Sequence, residues 1–465
     1  MKLKKVLALV LTSVIALTTV ACGGSNNAGT SSNDGAAAGS NTESASSEAG
    51  SSESAGADKL VIWTQAADLE QFAEKFTEAT GVECETVIYQ ADEYQTKVQS
   101  AILAGEKEPD IIIGEPDMLP SMIEAGLFED LDQFGAQDYA EEIVDYVWKK
   151  GQDDSGVQRA ISYQITPAGM YYRRDIADTV FGYSDPEQIG QLFKDYSTIL
   201  TTAQTLKDAG YRIFASDAEI LSYFSGQEAW VVDGTLNVAK ERWDCMDLCI
   251  DLWEGGYTAY ATPWTAPWYE AMSGQINIYE AGTNLWDAEA AEAGKTDETT
   301  EVFAYGLPSW GVLTMRDNVK DTSGSWGICS GPASGMGGGT YLGISSNSER
   351  KETAWEFVKF CTLNADTLDW WIEKSEGDTV SHLPTLEKHK DDENAVYGGQ
   401  KLYSFWLEQA EDIDLSRVTE YDRLIGIAWN AAIENIKTGA MTKDDAVAQF
   451  YDEVEATYPD LTVVR

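Results

Sequence analysis

Side chains able to attack, shuttle protons or hold a metal are few in this chain and poorly placed for it. Only two histidines occur. His389 lies in Glu387-Lys-His-Lys390, a charged stretch that reads as solvated, and His382 stands alone. The six cysteines include no C-x-x-C and no Cys/His set at zinc spacing, so no metal and no cofactor is expected. Cys84, Cys245, Cys249, Cys329 and Cys361 read as buried, reduced thiols. No Gly-x-Ser-x-Gly or His-Glu-x-x-His is present, and Gly294-Lys-Thr296 has Glu289 where a phosphate loop requires glycine. A glycosidase needs only two carboxylates at a set separation, and 78 acidic residues leave that chemistry open; otherwise the chain reads as a non-enzyme.

Tryptophan is the informative residue type. Six of the fifteen (Trp230, Trp243, Trp253, Trp264, Trp268 and Trp286) fall in one stretch, denser than a core requires. Indole faces suit the CH-rich faces of pyranose rings, whose hydroxyls then need carboxylate, amide and guanidinium partners at a rim. Trp243 and Trp253 share the helical run Glu241 to Trp253 and read as core. In Thr262-Pro-Trp-Thr-Ala-Pro-Trp268 two prolines interrupt regular structure, which predicts a loop presenting Trp264 and Trp268 to a ligand. Trp326 in Gly324-Ser-Trp-Gly327 and Tyr341 after Gly337-Gly-Gly339 extend the aromatic set, with glycines that let backbone approach a ligand or hinge. Trp370-Trp371 supplies at least one core ring.

The elements that must position these rings begin after residue 58. Leu60 to Trp63 is a short apolar strand; Leu69, Phe72, Ala73 and Phe76 repeat at helical spacing, Gly81 stops that helix, and Val82 to Tyr89 resumes strand. A second helix carries Tyr94, Val98, Ala101 and Ile102 on one face and leads through Pro109 into a strand at Asp110 to Ile113. Strand, helix, strand, helix, strand implies right-handed crossovers and a mainly parallel sheet in an α/β fold. Ligands sit at the carboxyl ends of such strands, which marks Thr64, Gln65, Glu115, Pro116 and Asp117.

The first 57 residues read as an export signal followed by a tether. Lys2, Lys4 and Lys5 precede an apolar run from Val6 to Leu17, the layout of a secretory signal over residues 1–21. Thr19-Val-Ala-Cys22-Gly23 resembles the site at which bacterial lipoproteins are cleaved and acylated on cysteine, which implies a lipid-anchored Cys22 and attachment to the membrane's outer face. Residues 22–57 are almost all Gly, Ser, Ala, Asn, Thr, Asp and Glu, a composition that bears a flexible tether. No later segment reaches membrane-spanning length. The net charge of −46 makes nucleic acid and anionic surfaces poor partners.

The order of features resembles a family. Trp63-Thr-Gln65, Glu78-Ala-Thr-Gly81, Asp92-Glu-Tyr94, Ala101-Ile-Leu-Ala-Gly105, Pro109-Asp-Ile-Ile-Ile113 and Glu124-Ala-Gly-Leu-Phe-Glu-Asp-Leu131 are similar to stretches of the extracellular solute-binding proteins of carbohydrate ABC importers. Ala168-Gly-Met-Tyr-Tyr172, Gly339-Thr-Tyr-Leu-Gly-Ile344 with Ala354-Trp-Glu-Phe-Val-Lys-Phe360, and Gly439-Ala-Met-Thr-Lys-Asp-Asp-Ala446 continue the likeness to about residue 455. The resemblance implies a two-lobed periplasmic-binding-protein-like fold with three interlobe crossings, near Thr166, Gly339 and Pro384. Residues 58–165 plus 341–380 would form one lobe, and 166–340 plus 381–465 the other. It implies a sugar, an oligosaccharide, held in the cleft and passed to membrane permease subunits of an ABC importer by a monomeric receptor. It also implies ligand roles for Thr166 at the first crossing, Glu219, Trp230 and Trp286 after Gly282-Thr-Asn-Leu. Arg423 could pair with a ligand hydroxyl or an acidic neighbour, and the surplus of carboxylates favours the acidic neighbour. A ferric-ion receptor would use Tyr171-Tyr172, yet successive strand residues face opposite ways and cannot chelate one ion.

Overall fold

The computed structural model describes residues 59–224, 228–278 and 298–465. Sequence pattern and structure agree closely at the start. Strand β1 (Leu60–Thr64) is almost wholly buried, and the helix Asp68–Thr80 turns Leu69, Phe72, Ala73 and Phe76 inward. That helix ends because Gly81 takes φ 78°, a left-handed conformation that lets its N–H reach Thr77 O. Strand β2 (Cys84–Ile88), the helix Ala91–Leu103 and the fully buried β3 (Ile111–Gly114) follow. Both β2 and β3 pair parallel with β1, as crossover helices require.

The remaining strands are β4 (Ile161–Ser162), β5 (Ala168–Arg173), β6 (Arg212–Phe214), β7 (Val231–Val232), β8 (Thr235–Leu236), β9 (Ile276–Asn277), β10 (Thr299–Thr300), β11 (Val302–Pro308), β12 (Trp326–Cys329) and β13 (Tyr341–Ile344). One five-stranded sheet runs β2-β1-β3-β13-β4, and one four-stranded sheet runs β12-β5-β11-β6. The expectation of mainly parallel sheets needs correction. β13 comes back from a long excursion and enters antiparallel between β3 and β4; in the second sheet β5 is antiparallel to both β11 and β12, and only β11 with β6 is parallel. Mixed sheets arise because these neighbours are not consecutive strand-helix-strand units: β13 and β4, and β11 and β5, are separated by long excursions through other elements, which leave the direction of re-entry free.

Two apolar cores result. Alternation along β5 divides them: Met170 and Tyr172 point into one, Tyr171 into the other. Tyr171 Oη donates to Pro308 O at 2.8 Å while Tyr172 Oη donates to Ser184 O at 2.6 Å, so the two phenols serve separate sites. The core on the Tyr172 side also contains Trp230, Trp429 and Phe450; the other is continuous with the core of the first sheet.

Two chain segments that link the sheets, residues 163–167 and 330–340, lie side by side with a third stretch, residues 379–381, between the helices Ala365–Ser375 and Leu383–His389. Thr166 Oγ1 donates to Gly338 O at 3.1 Å, and Gly337 N to Thr166 O at 3.2 Å. Thr379 Oγ1 and Ser309 Oγ both donate to Ile165 O, at 2.6 and 2.8 Å, and Ser381 N donates to Tyr163 O at 2.7 Å. Gly339, at φ 122°, is where the middle segment bends over Thr166 and Pro116.

Candidate functional site

Where β3 ends, its sheet faces the helices Lys240–Glu254 and Asp422–Lys437 across a cavity of about 420 Å3. That volume falls within the range of small-molecule clefts, ~300–1,000 Å3. Glu115, Pro116 and Asp117 form one wall, Gly337 and Gly338 the floor beside the linking segments, and Trp230, Arg242, Asp422, Arg423, Trp429 and Asn430 the opposite wall. A wider hollow of about 1080 Å3, lined by Tyr146, Lys149, Lys150, Asp153 and Arg159, has no indole on its walls.

The aromatic wall is packed from behind. Trp230 meets Trp429 edge-on at 5.9 Å and lies 6.1 Å from Phe450, so little of its ring is exposed. The Arg242 guanidinium carbon sits 3.8 Å from the Trp230 ring centroid, and Arg242 also donates to Glu228 O. Burial pushes the Arg242 guanidinium down to about 10, with Asp422 and Glu228 acting the other way. Arg242 shares its helix stripe with Cys245, Met246 and Cys249.

The polar wall is a short relay. Gln65 Nε2 donates to Glu115, and Arg423 Nη1 donates to Asp117 Oδ2 at 3.0 Å. Burial, reinforced by the nearby charge of Asp117, raises the Glu115 carboxyl to about 7, while the Gln65 hydrogen bond and Arg423 oppose the shift. Asp422 is raised chiefly by burial; its Oδ2 accepts from Thr419 N at 2.8 Å and Thr419 Oγ1 at 3.0 Å. Lys150, behind this wall, donates to Val418 O at 2.7 Å and is lowered by burial to about 8. Carboxylates, an amide and two guanidiniums thus surround an indole-backed space, an arrangement that can hold a ring bearing many hydroxyls.

Of the residues singled out in the sequence, Glu115, Asp117, Trp230 and Arg423 line this cavity, and Gln65 joins it through Glu115. Others lie elsewhere. Thr166 is buried in the linking segments, where its hydroxyl is committed to Gly338 O. The expected loop through Trp268 is instead the start of a helix, Ala266–Ser273, because Pro267 occupies its first turn, where a missing N–H costs nothing. Trp268 is therefore interior: its Nε1 donates to Glu219 Oε1 at 2.6 Å, and Glu219 Oε2 accepts from Gly306 N at 3.0 Å. Burial raises that Glu219 carboxyl to about 8, against the pull of both donors, so Glu219 and Trp268 serve each other and not the cavity. Trp326 is fully buried, its Nε1 donating to Thr322 Oγ1 at 2.9 Å, and Tyr341 is buried beneath Gly339. Trp264 stays on the surface. Trp286 and Cys22 lie outside the described residues.

Sequence reasoning missed Arg242, Asp422, Trp429 and Asn430. Arg242 was detectable, since an arginine on the apolar stripe of a helix needs a buried partner. Trp429 shares a stripe with Ile425, Ala432 and Ile433 and gives no sign of lining a cavity.

Two α/β sheets joined by adjacent connecting segments, with an indole-backed cavity beside the join, define a ligand-binding receptor. The family profile described as bacterial extracellular solute-binding protein matches residues 71–421, and the chain belongs to that family. Among solved structures, one titled extracellular solute-binding protein family 1 superposes with a TM-score of 0.67 at 17% identity, covering 86% of this chain and 99% of that one. The ABC transporter associated binding protein from B. animalis subsp. lactis Bl-04, in complex with β-1,6-galactobiose, superposes with a TM-score of 0.65 at 16% identity, covering 88% and 100%. These likenesses establish the fold. By sequence, the putrescine-binding periplasmic protein SpuD of Pseudomonas aeruginosa is 27% identical over 148 residues; the match covers 32% of this chain and only 38% of that relative.

Proposed function

We propose that this protein is the lipid-anchored receptor of an ABC importer for a carbohydrate, an oligosaccharide, captured without covalent change. The observation that carries the reading is the cavity between Glu115-Pro-Asp117 and Trp230, where an indole wall faces carboxylate, amide and guanidinium groups. The solved structure bound to β-1,6-galactobiose shares the fold and supports the class of ligand. In this reading residues 58–165 with 341–380 and residues 166–340 with 381–465 are the two lobes, and the adjacent segments at Thr166, Gly339 and Pro384 are the hinge. Closure over the sugar buries its ring between Glu115-Pro-Asp117 and the Arg242-bearing wall and presents a compact shape for permease subunits to distinguish from the open one. Cys22 would carry the acyl chains, and residues 23–57 the tether that lets a monomeric receptor swivel above the membrane.

The likeness to a putrescine receptor favours a diamine as the second reading, with Asp117 and Asp422 as anchors. Arg423 and Arg242 work against it, since each acidic group of the wall faces a guanidinium and little negative charge remains for an amine. A thermal-shift screen of the full chain against neutral oligosaccharides and putrescine tests both. A ligand at 100 times its Kd stabilises the folded state by about 2.7 kcal/mol. A rise with an oligosaccharide and none with putrescine is the expected result; the reverse makes this an amine receptor, and release of shortened sugar makes it a hydrolase.

A further inference from the structure

One aromatic feature lies outside the cavity. Trp264, at 52%, is the one aromatic side chain more than half exposed among the described residues. It also has φ 66°, a left-handed conformation in which a bulky side chain is strained. The turn that holds it there is closed by Thr265, whose N and Oγ1 both donate to Thr262 O, at 3.3 and 2.6 Å. A turn position of this kind ordinarily selects glycine or asparagine, so the indole is displayed at a cost in local energy.

The ring is not loose. It packs on Trp310 at 5.7 Å with planes 31° apart, and on Trp268 at 4.7 Å. Trp268 is fixed from beneath by Glu219, and Trp310 Nε1 donates to Gly337 O at 2.9 Å. Gly337 and Gly338 are the floor of the cavity, so Trp310 joins the exposed indole to that floor.

The geometry points to a second sugar subsite on Trp264, continuous with the cavity through Trp310 and the Gly337-Gly338 floor, which takes an outer ring of an oligosaccharide whose inner ring is held in that cavity. This rests on the carbohydrate reading and narrows it to ligands longer than the cavity itself. Strain, exposure and rigid backing are what a preorganised stacking surface requires, since a prefixed ring loses little freedom when the sugar arrives.

The test is calorimetric titration of the full chain and of Trp264→Ala with disaccharide and tetrasaccharide members of the β-1,6-galactan, α-1,4-glucan and β-1,4-xylan series, with melting curves confirming that both proteins fold. In a series that binds, the unaltered chain should hold the tetrasaccharide about tenfold more tightly than the disaccharide, the gain of one aromatic stack. Trp264→Ala should erase that gain and leave the disaccharide unchanged. Equal affinity for both lengths in the unaltered chain overturns the subsite while leaving the cavity reading intact, as does an equal loss for both lengths, or no loss, in the variant. Failure of every series to bind overturns the carbohydrate reading and the subsite with it.

Discussion

Arg423 ties the second wall of the cavity to the first: its Nη1 donates to Asp117 Oδ2 at 3.0 Å, and its Nη2 donates to Ala91 O at 3.2 Å. The partners stand 306 residues apart, one just past β3 and the other in the first turn of the helix Asp422–Lys437. Both side chains are partly exposed, so the pair itself adds at most ~1 kcal/mol to folding. Its position gives it a larger effect on opening than on stability. Arg423→Ala should speed release of a bound oligosaccharide several-fold in stopped-flow tryptophan fluorescence, while the melting midpoint barely moves. A large fall in the midpoint with unchanged release would show that the pair holds the fold and not the closed state.

Trp230 is the ring nearest to both guanidinium and cavity. Trp230→Ala should weaken oligosaccharide binding by about 1–2 kcal/mol, because it releases Arg242, whose guanidinium rests on that indole face. Its packing against Trp429 and Phe450 means folding must be checked by near-ultraviolet circular dichroism. Unchanged affinity in a folded variant would remove Trp230 from the site.

Stability should fall as pH rises through neutrality. Among the described residues burial raises six carboxyls: Asp68 to about 6, Glu115 and Asp378 to about 7, Glu219 to about 8, and Asp217 and Asp422 in the same direction. In the unfolded chain these groups lose their protons near their ordinary values, so between those values and the raised ones the folded state binds more protons. Each step up in pH through that window therefore favours unfolding. Below it both states are protonated and the effect vanishes. Asp153, lowered to about 2, acts only in acid, and Lys150, lowered to about 8, acts only above the window. The melting midpoint should be higher at about pH 5 than at about pH 8, and Glu219→Gln should flatten the slope. A midpoint that climbs over that range would contradict the assignment.

Gly306 admits no side chain. A Cβ there would lie 1.9 Å from Glu219 O, which is backbone and has nowhere to retreat. Gly306→Ala should cost more than ~2 kcal/mol in urea denaturation, because it also disturbs the N–H that Glu219 accepts.

Cys22→Ala should shift the protein from the membrane fraction to the medium, and mass spectrometry of the unaltered chain should find its mature N-terminus acylated at Cys22. Retention of the variant on the membrane would remove the anchor.

Local pattern predicted the first three strands and two helices nearly residue by residue. Leu69, Phe72, Ala73 and Phe76 lie on one face by spacing alone, and Gly81 ends the helix by its own freedom. Tyr171 and Tyr172 diverge by strand geometry, as their separate cores confirm. Pairing direction was not legible in the same way. Whether β13 enters parallel or antiparallel depends on where the chain has been since β4, and no window of sequence records that path.

The sequence by itself determined the elements of the first sheet, the scarcity of nucleophiles and metal ligands, the acidic balance, the family likeness and the carboxyl-end residues Glu115 and Asp117. Those follow from side-chain type and short-range periodicity, which act within a few turns of chain. Only the tertiary structure decided which indoles meet a cavity. Trp230, Trp264, Trp268 and Trp326 are chemically identical, yet one walls the cavity, one is displayed on a strained turn, and two are interior with their N–H groups satisfied by Glu219 and Thr322. An indole goes where its large face can be buried and its single donor paired, and those partners are supplied by segments distant in the chain.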